Sequence, residues 1–95
     1  SFAEFYPFYL GEHSDRTCRR LHFVGSTGVL GLLVAAVVTA NPWWLLAMPL
    51  MGYGFAWVGH FFFERNKPAT FTYPLWSFIG DWVMYKDILI GRIKF

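Results

Sequence analysis

One long interval dominates the hydrophobic pattern of this chain. From Leu21 to Phe63 there is no Asp, Glu, Lys or Arg, a run of 43 residues. A membrane-crossing helix needs about 20 apolar residues, so the run is two spans long. Asn41-Pro42 stands near its middle. Asn caps helix starts, and Pro fits the first helical position, where its missing N–H has no partner to lose. The pattern predicts an all-α integral membrane protein built on a two-span antiparallel helical hairpin. Membrane helix 1 covers residues 16–40 and membrane helix 2 covers 41–64. In lipid the backbone must satisfy its own hydrogen bonds, which at this size leaves only helices. A cleaved secretory signal fits the first run poorly, because a second apolar run follows at once without a small-residue cleavage site. The chain begins at Ser1 rather than Met, so further residues are expected before it, and a transit peptide is compatible with that start.

The flanks differ in kind. Residues 2–15 are aromatic-rich and read as a short interfacial helix, with Ser14 or Asp15 as the cap of the first membrane helix. Residues 68–95 mix Trp76, Trp82, Tyr73 and Tyr85 with Asp81, Lys86, Asp87, Arg92 and Lys94. The charges do not gather on one side of a helical wheel, so broken helical pieces at the interface are expected rather than one long amphipathic helix. The whole chain, 1–95, reads as a single membrane domain. Arg16, Arg19 and Arg20 flank the first span, Arg65 and Lys67 follow the second, and the turn between them carries no Lys or Arg. The positive-inside rule then puts both termini in the cytoplasm, or its topological equivalent, with Trp43 and Trp44 in the opposite interface. Gly25, Gly28, Gly31 and Ala35, and Gly52, Ala56 and Gly59, give each span a smooth face for close approach.

Composition removes the alternatives. The chain is 56% hydrophobic and 22% aromatic with 15% charged residues, against about a quarter charged in soluble domains. Its aromatic content excludes disorder, its single cysteine, Cys18, excludes a disulfide framework, and a net charge of +2 argues for no nucleic-acid partner.

Candidate chemistry lies in three histidines. His22 stands nineteen residues before Asn41 and His60 nineteen after it. At about 1.5 Å rise per residue both fall roughly 28 Å from the turn, hence at one depth near the cytoplasmic edge. His13 precedes His22 by nine residues, so on a continuous helix the two would face apart; a chain break at Ser14 or Asp15 lets them converge. Glu64 follows His60 by four, on the same face of a helix. Imidazole with carboxylate is a ligand set for non-haem Fe(II), and also for Zn or Mn. Three other readings stay open on spacing alone: interfacial histidines with a solvated Glu64, axial haem ligation by His22 and His60, and chlorophyll ligation in a larger assembly. Arg16, Arg19 and Arg20 read as topogenic, with a fatty-acid carboxylate as a further partner.

Several stretches carry a resemblance: Phe8-Tyr9, Glu12-His13, Arg20-Leu21-His22-Phe23-Val24-Gly25, Gly52-Tyr53-Gly54-Phe55-Ala56-Trp57-Val58-Gly59-His60-Phe61-Phe62, and Glu64-Arg65-Asn66-Lys67-Pro68-Ala69-Thr70. Tyr73-Pro74-Leu75-Trp76-Ser77, Gly80-Asp81 and Gly91-Arg92 extend it almost end to end. The chain resembles the small membrane proteins related to the fungal 2-hydroxy fatty acid dioxygenase of phytosphingosine breakdown, in their bacterial branch. In the fungal branch an Asn tends to stand where this chain has Cys18. The resemblance implies an Fe(II)-dependent dioxygenase that shortens a 2-hydroxy fatty acid by one carbon with molecular oxygen. It implies His13, His22 and His60 as catalytic iron ligands and Glu64 as a fourth ligand or the group that orients His60. Arg16 and Arg20 would hold the substrate carboxylate, and Asp81 would be a further partner of the site. Expected surroundings are membrane lipid, the bacterial inner membrane, and self-association or a host membrane complex. The competing function is a non-catalytic subunit of such a complex, which predicts no stoichiometric metal.

Overall fold

The computed structural model describes residues 1–95, all of them helical or in short links, with no strand. Helix α1 (Phe2–Gly11) opens the chain, and the Ser1 hydroxyl accepts the Glu4 N–H at 3.3 Å as its cap. Helix α2 (Arg16–Thr39) begins where the Asp15 carboxylate accepts the Cys18 N–H at 2.9 Å. Of the two caps the sequence offers, Asp15 is the one used. The helix stops at Ala40, which turns left-handed at φ 53°. The Asn41 side chain then accepts the Trp43 N–H at 3.1 Å.

The second apolar run is three helices end to end rather than one. A 3₁₀ turn (Pro42–Leu46) leads into α3 (Ala47–Val58), and a π-turn (Gly59–Glu64) ends it. Pro49 lies in the first turn of α3, where an N–H has no intrahelical partner to lose. Glycine lets α2 and α3 touch. A Cβ on Gly25 would stand 2.9 Å from Phe55 Cβ, and one on Gly59 would stand 3.1 Å from Cys18 Cα. Contacts pairing 18 with 59 and 25 with 55 mean that the two helices run in opposite directions.

Arg16–Thr39 and Pro42–Glu64 are both long and apolar enough to cross a membrane. Their outer faces are bare: Val34, Val37, Val38 and Leu50 are 60–78% exposed, the surface that lipid would cover.

The C-terminal region departs from the expected broken pieces. After a 3₁₀ turn (Ala69–Phe71), residues Pro74–Leu89 form one continuous helix, α4, with Pro74 at its start. Its acids are taken up by α1. The Tyr9 hydroxyl donates to Asp81, and the Tyr6 hydroxyl donates to Asp87 at 2.8 Å. Phe5 and Tyr9 pack on Met84 and Ile88. The two acids on the wheel are therefore partnered by α1, while Lys86, Arg92 and Lys94 stay exposed, and α1 packs against α4 rather than lying free.

Candidate metal centre

His13 occupies the link between α1 and α2, His22 the second turn of α2, and His60 the π-turn. The link is fastened from two sides. Arg19 Nη1 donates to the carbonyls of His13 and Ser14 at 3.1 and 2.7 Å. The Glu64 carboxylate accepts the Asp15 N–H and, at 3.3 Å, the Ser14 hydroxyl. That broken link turns His13 back toward α2, as the nine-residue spacing required.

The three imidazoles meet. Nε2 of His13 lies 3.1 Å from Nε2 of His22 and 3.0 Å from Nε2 of His60. One nitrogen from each ring falls within 4.8 Å of the others, and the three residues are 2%, 6% and 2% exposed. Each ring is oriented through its other nitrogen. His13 Nδ1 faces the Tyr9 carbonyl at 2.7 Å, and His22 Nδ1 faces the Cys18 carbonyl at 2.8 Å. His60 Nδ1 faces the Asn66 side-chain oxygen at 2.8 Å. Carbonyl oxygens only accept, so all three protons sit on Nδ1. Every Nε2 then presents a lone pair to the same point. The His13 lone pair, about 3 Å from each of the other two with no proton between them, is repelled by both, and a cation converts that repulsion into ligation. Neutral imidazole is the form metals bind. Burial first, and then the neighbouring His22, keeps His13 neutral, its imidazole pushed down to about 2. The buried triad can hold a metal ion.

Asn66 is the residue that spacing alone did not single out. Its amide nitrogen donates to the Glu12 carboxylate at 2.7 Å and the Glu12 carbonyl at 3.1 Å. This fixes which end of the amide faces His60. Partners of this kind set ligand orientation and basicity. Replacing Asn66 with Ala is expected to weaken metal affinity by about 10- to 100-fold, measured by competition with a chelator of known affinity, with the helical content unchanged.

The other sequence candidates fall in different places. Glu64 is not among the clustered ligand atoms; its carboxylate holds the 14–15 link. Arg16 and Arg20 both turn to the Phe95 carbonyl, at 2.9 and 3.1 Å, and Arg20 lies over the Phe95 ring. Asp81 borders the triad: a cavity of about 10 Å³ is lined by the three histidines together with Tyr9, Ser77 and Asp81. That is the lower limit for one water-sized occupant. The Ser77 hydroxyl is buried there without a hydrogen-bond partner. The Asp81 carboxyl is withdrawn from solvent, which pushes it up to about 7 against the pull of the Tyr9 hydroxyl. Burial, and then Asp81, holds the Tyr9 phenol well above its ordinary range, so it stays a donor. Tyr9 also stacks on His13, with ring centroids 4.0 Å apart.

The family described as 2-hydroxy-palmitic acid dioxygenase Mpo1-like matches residues 1–93. The chain belongs to this Mpo1-like family. No curated protein and no solved structure matches it. The family description suggests a dioxygenase acting on a 2-hydroxy fatty acid, and the buried triad could hold a metal ion. Within this Mpo1-like chain the whole centre, from Tyr9 to Asp81, lies inside the matched region.

Proposed function

We propose that the protein is an Fe(II)-dependent dioxygenase that shortens 2-hydroxy fatty acids by one carbon at the edge of a bilayer. The observation that carries the reading is the convergence of three Nε2 lone pairs, two pairs of them at 3.0–3.1 Å, in a chain of the Mpo1-like family. Imidazole suits iron, zinc, copper and nickel alike, and the family's oxygen chemistry favours iron among them. His13, His22 and His60 would hold the ion, which when bound supplies the redox chemistry with molecular oxygen.

The chain's own groups do the rest. Asn66, the Cys18 carbonyl and the Tyr9 carbonyl keep the three Nδ1 protons in place, so the Nε2 atoms stay free to ligate. Glu64 and Arg19 hold the link that swings His13 into position. Ser77, with its unpartnered hydroxyl, is placed to meet a polar oxygen of the substrate head, and the Asp81 carboxyl, held by Tyr9, borders the same space. A head group bound at the triad leaves its alkyl tail to run into the bilayer. We read Arg16–Thr39 and Pro42–Glu64 as a two-span hairpin in a single membrane domain. The flanking arginines support a reading with both termini on the cytoplasmic side and membrane lipid around the bare faces. Self-association or a host complex would cover part of them, and a bacterial inner membrane is the setting we infer.

The test is elemental analysis with oxygen uptake on anaerobically prepared, detergent-purified protein beside its His60→Ala variant. About one iron per chain, no haem band, oxygen consumed with 2-hydroxypalmitate and an acid one carbon shorter are the expected results. All of them should be lost in the variant. Protein that folds, carries no iron and co-purifies with a larger complex would instead make it a structural subunit.

A further inference from the structure

A second, larger cavity of about 320 Å³ shares His22 and Asp81 with the small one. Its walls are helical stripes. His22, Ser26 and Val29 recur at four and three residues along α2, and Met48, Gly52 and Ala56 recur at four along α3. Such spacings keep each set on one face of its helix. Phe78 and Trp82, one turn apart on α4, close the third side. The groove therefore starts at the triad and follows the two spans toward the Asn41 turn. From His22 to Val29 is seven residues, about 10 Å of helix.

The chemistry of the walls is graded. Histidine and carboxylate stand at one end only, and Val29 with Met48 marks the other. Glycine at 52 leaves the space beside Val29 open: a Cβ there would stand 3.2 Å from Val29 Cγ2. The volume is within the range of ligand sites, about 300–1,000 Å³. A slot between two spans with its polar end at buried histidines suits one alkyl chain carrying one small acid head. A phospholipid, with two tails and a bulky head, is too large for a single slot of this volume.

We propose that this groove holds the substrate's acyl chain and that Val29 and Met48 gauge its length. The assignment rests on the reading that a 2-hydroxy acid head binds at the triad. Val29→Trp fills the far end from α2, and Met48→Trp fills it from α3, so the two variants test one feature from opposite walls. Affinity is measured by displacing a fluorescent fatty acid from iron-loaded, detergent-purified protein with straight-chain 2-hydroxy acids from 2-hydroxyoctanoate to 2-hydroxypalmitate. Iron content and thermal unfolding of each variant report that it is folded.

The ratio of wild-type to variant affinity is expected to climb with chain length, by about fourfold for each methylene that the Trp excludes. It should reach tenfold or more for 2-hydroxypalmitate, and the length at which it first rises marks the carbon that reaches Val29. Folded variants that lose affinity equally at every length, or lose none, overturn the gauge. Wild-type protein that shows the length-dependent binding yet consumes no oxygen and releases no shortened acid would keep the groove and end the dioxygenase reading.

Discussion

His13→Ala is expected to leave detergent-purified protein without bound iron. His13 is the middle imidazole of the three: both short Nε2 contacts, 3.1 Å to His22 and 3.0 Å to His60, are made by this ring. Removing it leaves two nitrogens on separate helical segments and no donor from the link between α1 and α2. The local fold should outlast the change, because Arg19 grips the backbone carbonyls of residues 13 and 14 and not the ring. Glu64 likewise holds the backbone N–H of Asp15. Anaerobic reconstitution with Fe(II), followed by elemental analysis, reads the outcome, and far-ultraviolet circular dichroism reports the helices. Stoichiometric iron in His13→Ala protein would mean that the triad is not the centre.

Gly59→Leu is the second large effect, and it acts without touching a ligand. The hydrogen of Gly59 faces Cys18, and a Cβ there would lie 3.0 Å from Sγ and 3.1 Å from Cα. Sulfur at the tip of a side chain can give way, but a backbone Cα cannot move unless α2 moves with it. Leucine at 59 must therefore push the π-turn off α2, and overpacking of this kind costs about 1–3 kcal/mol. The push falls one residue from His60 and one turn from His22, whose ring centroids are 4.9 Å apart, so metal affinity should fall together with the unfolding temperature. Gly54→Leu is the control: it lies on the same run with open space around its Cβ position. It should keep both metal and stability. Equal behaviour of the two variants would show that the close approach at Cys18 does not support the centre.

The two long apolar helical runs and the triad were legible in the sequence for different reasons. An uncharged run of 43 residues broken at Asn41 is a local pattern, and the caps at Asp15 and Asn41 are local chemistry. The equal depth of His22 and His60 follows from counting along two helices, and it holds because the paired helices keep register over that distance. What escaped depended on partners far away in the chain. The acids of α4 look unplaceable on a wheel until Tyr6 and Tyr9 of α1 are set against Asp87 and Asp81. The i,i+4 rule read Glu64 as facing with His60, whereas the widened turn delivers its carboxylate to the Asp15 N–H. Arg16 and Arg20, four residues apart, share a helix face, but that face meets residue 95, which no local pattern relates to them.

The π-turn also constrains chain length. Within it the N–H groups of Arg65 and Asn66 both return to the carbonyl of His60, the latter at 3.1 Å, and Arg65 turns left-handed at φ 59° to end it. A turn of this width holds one residue more than an α-helical turn would. Deleting any one residue between His60 and Asn66 would let the segment relax into α-helix and swing Asn66 by about 100°, away from His60 Nδ1 and Glu12. The Pro42–Leu46 turn, exposed throughout and remote from the triad, bears no such condition. Insertions and deletions among homologous chains should therefore gather at the far turn and spare these seven positions, although both are short irregular pieces of the same apolar run.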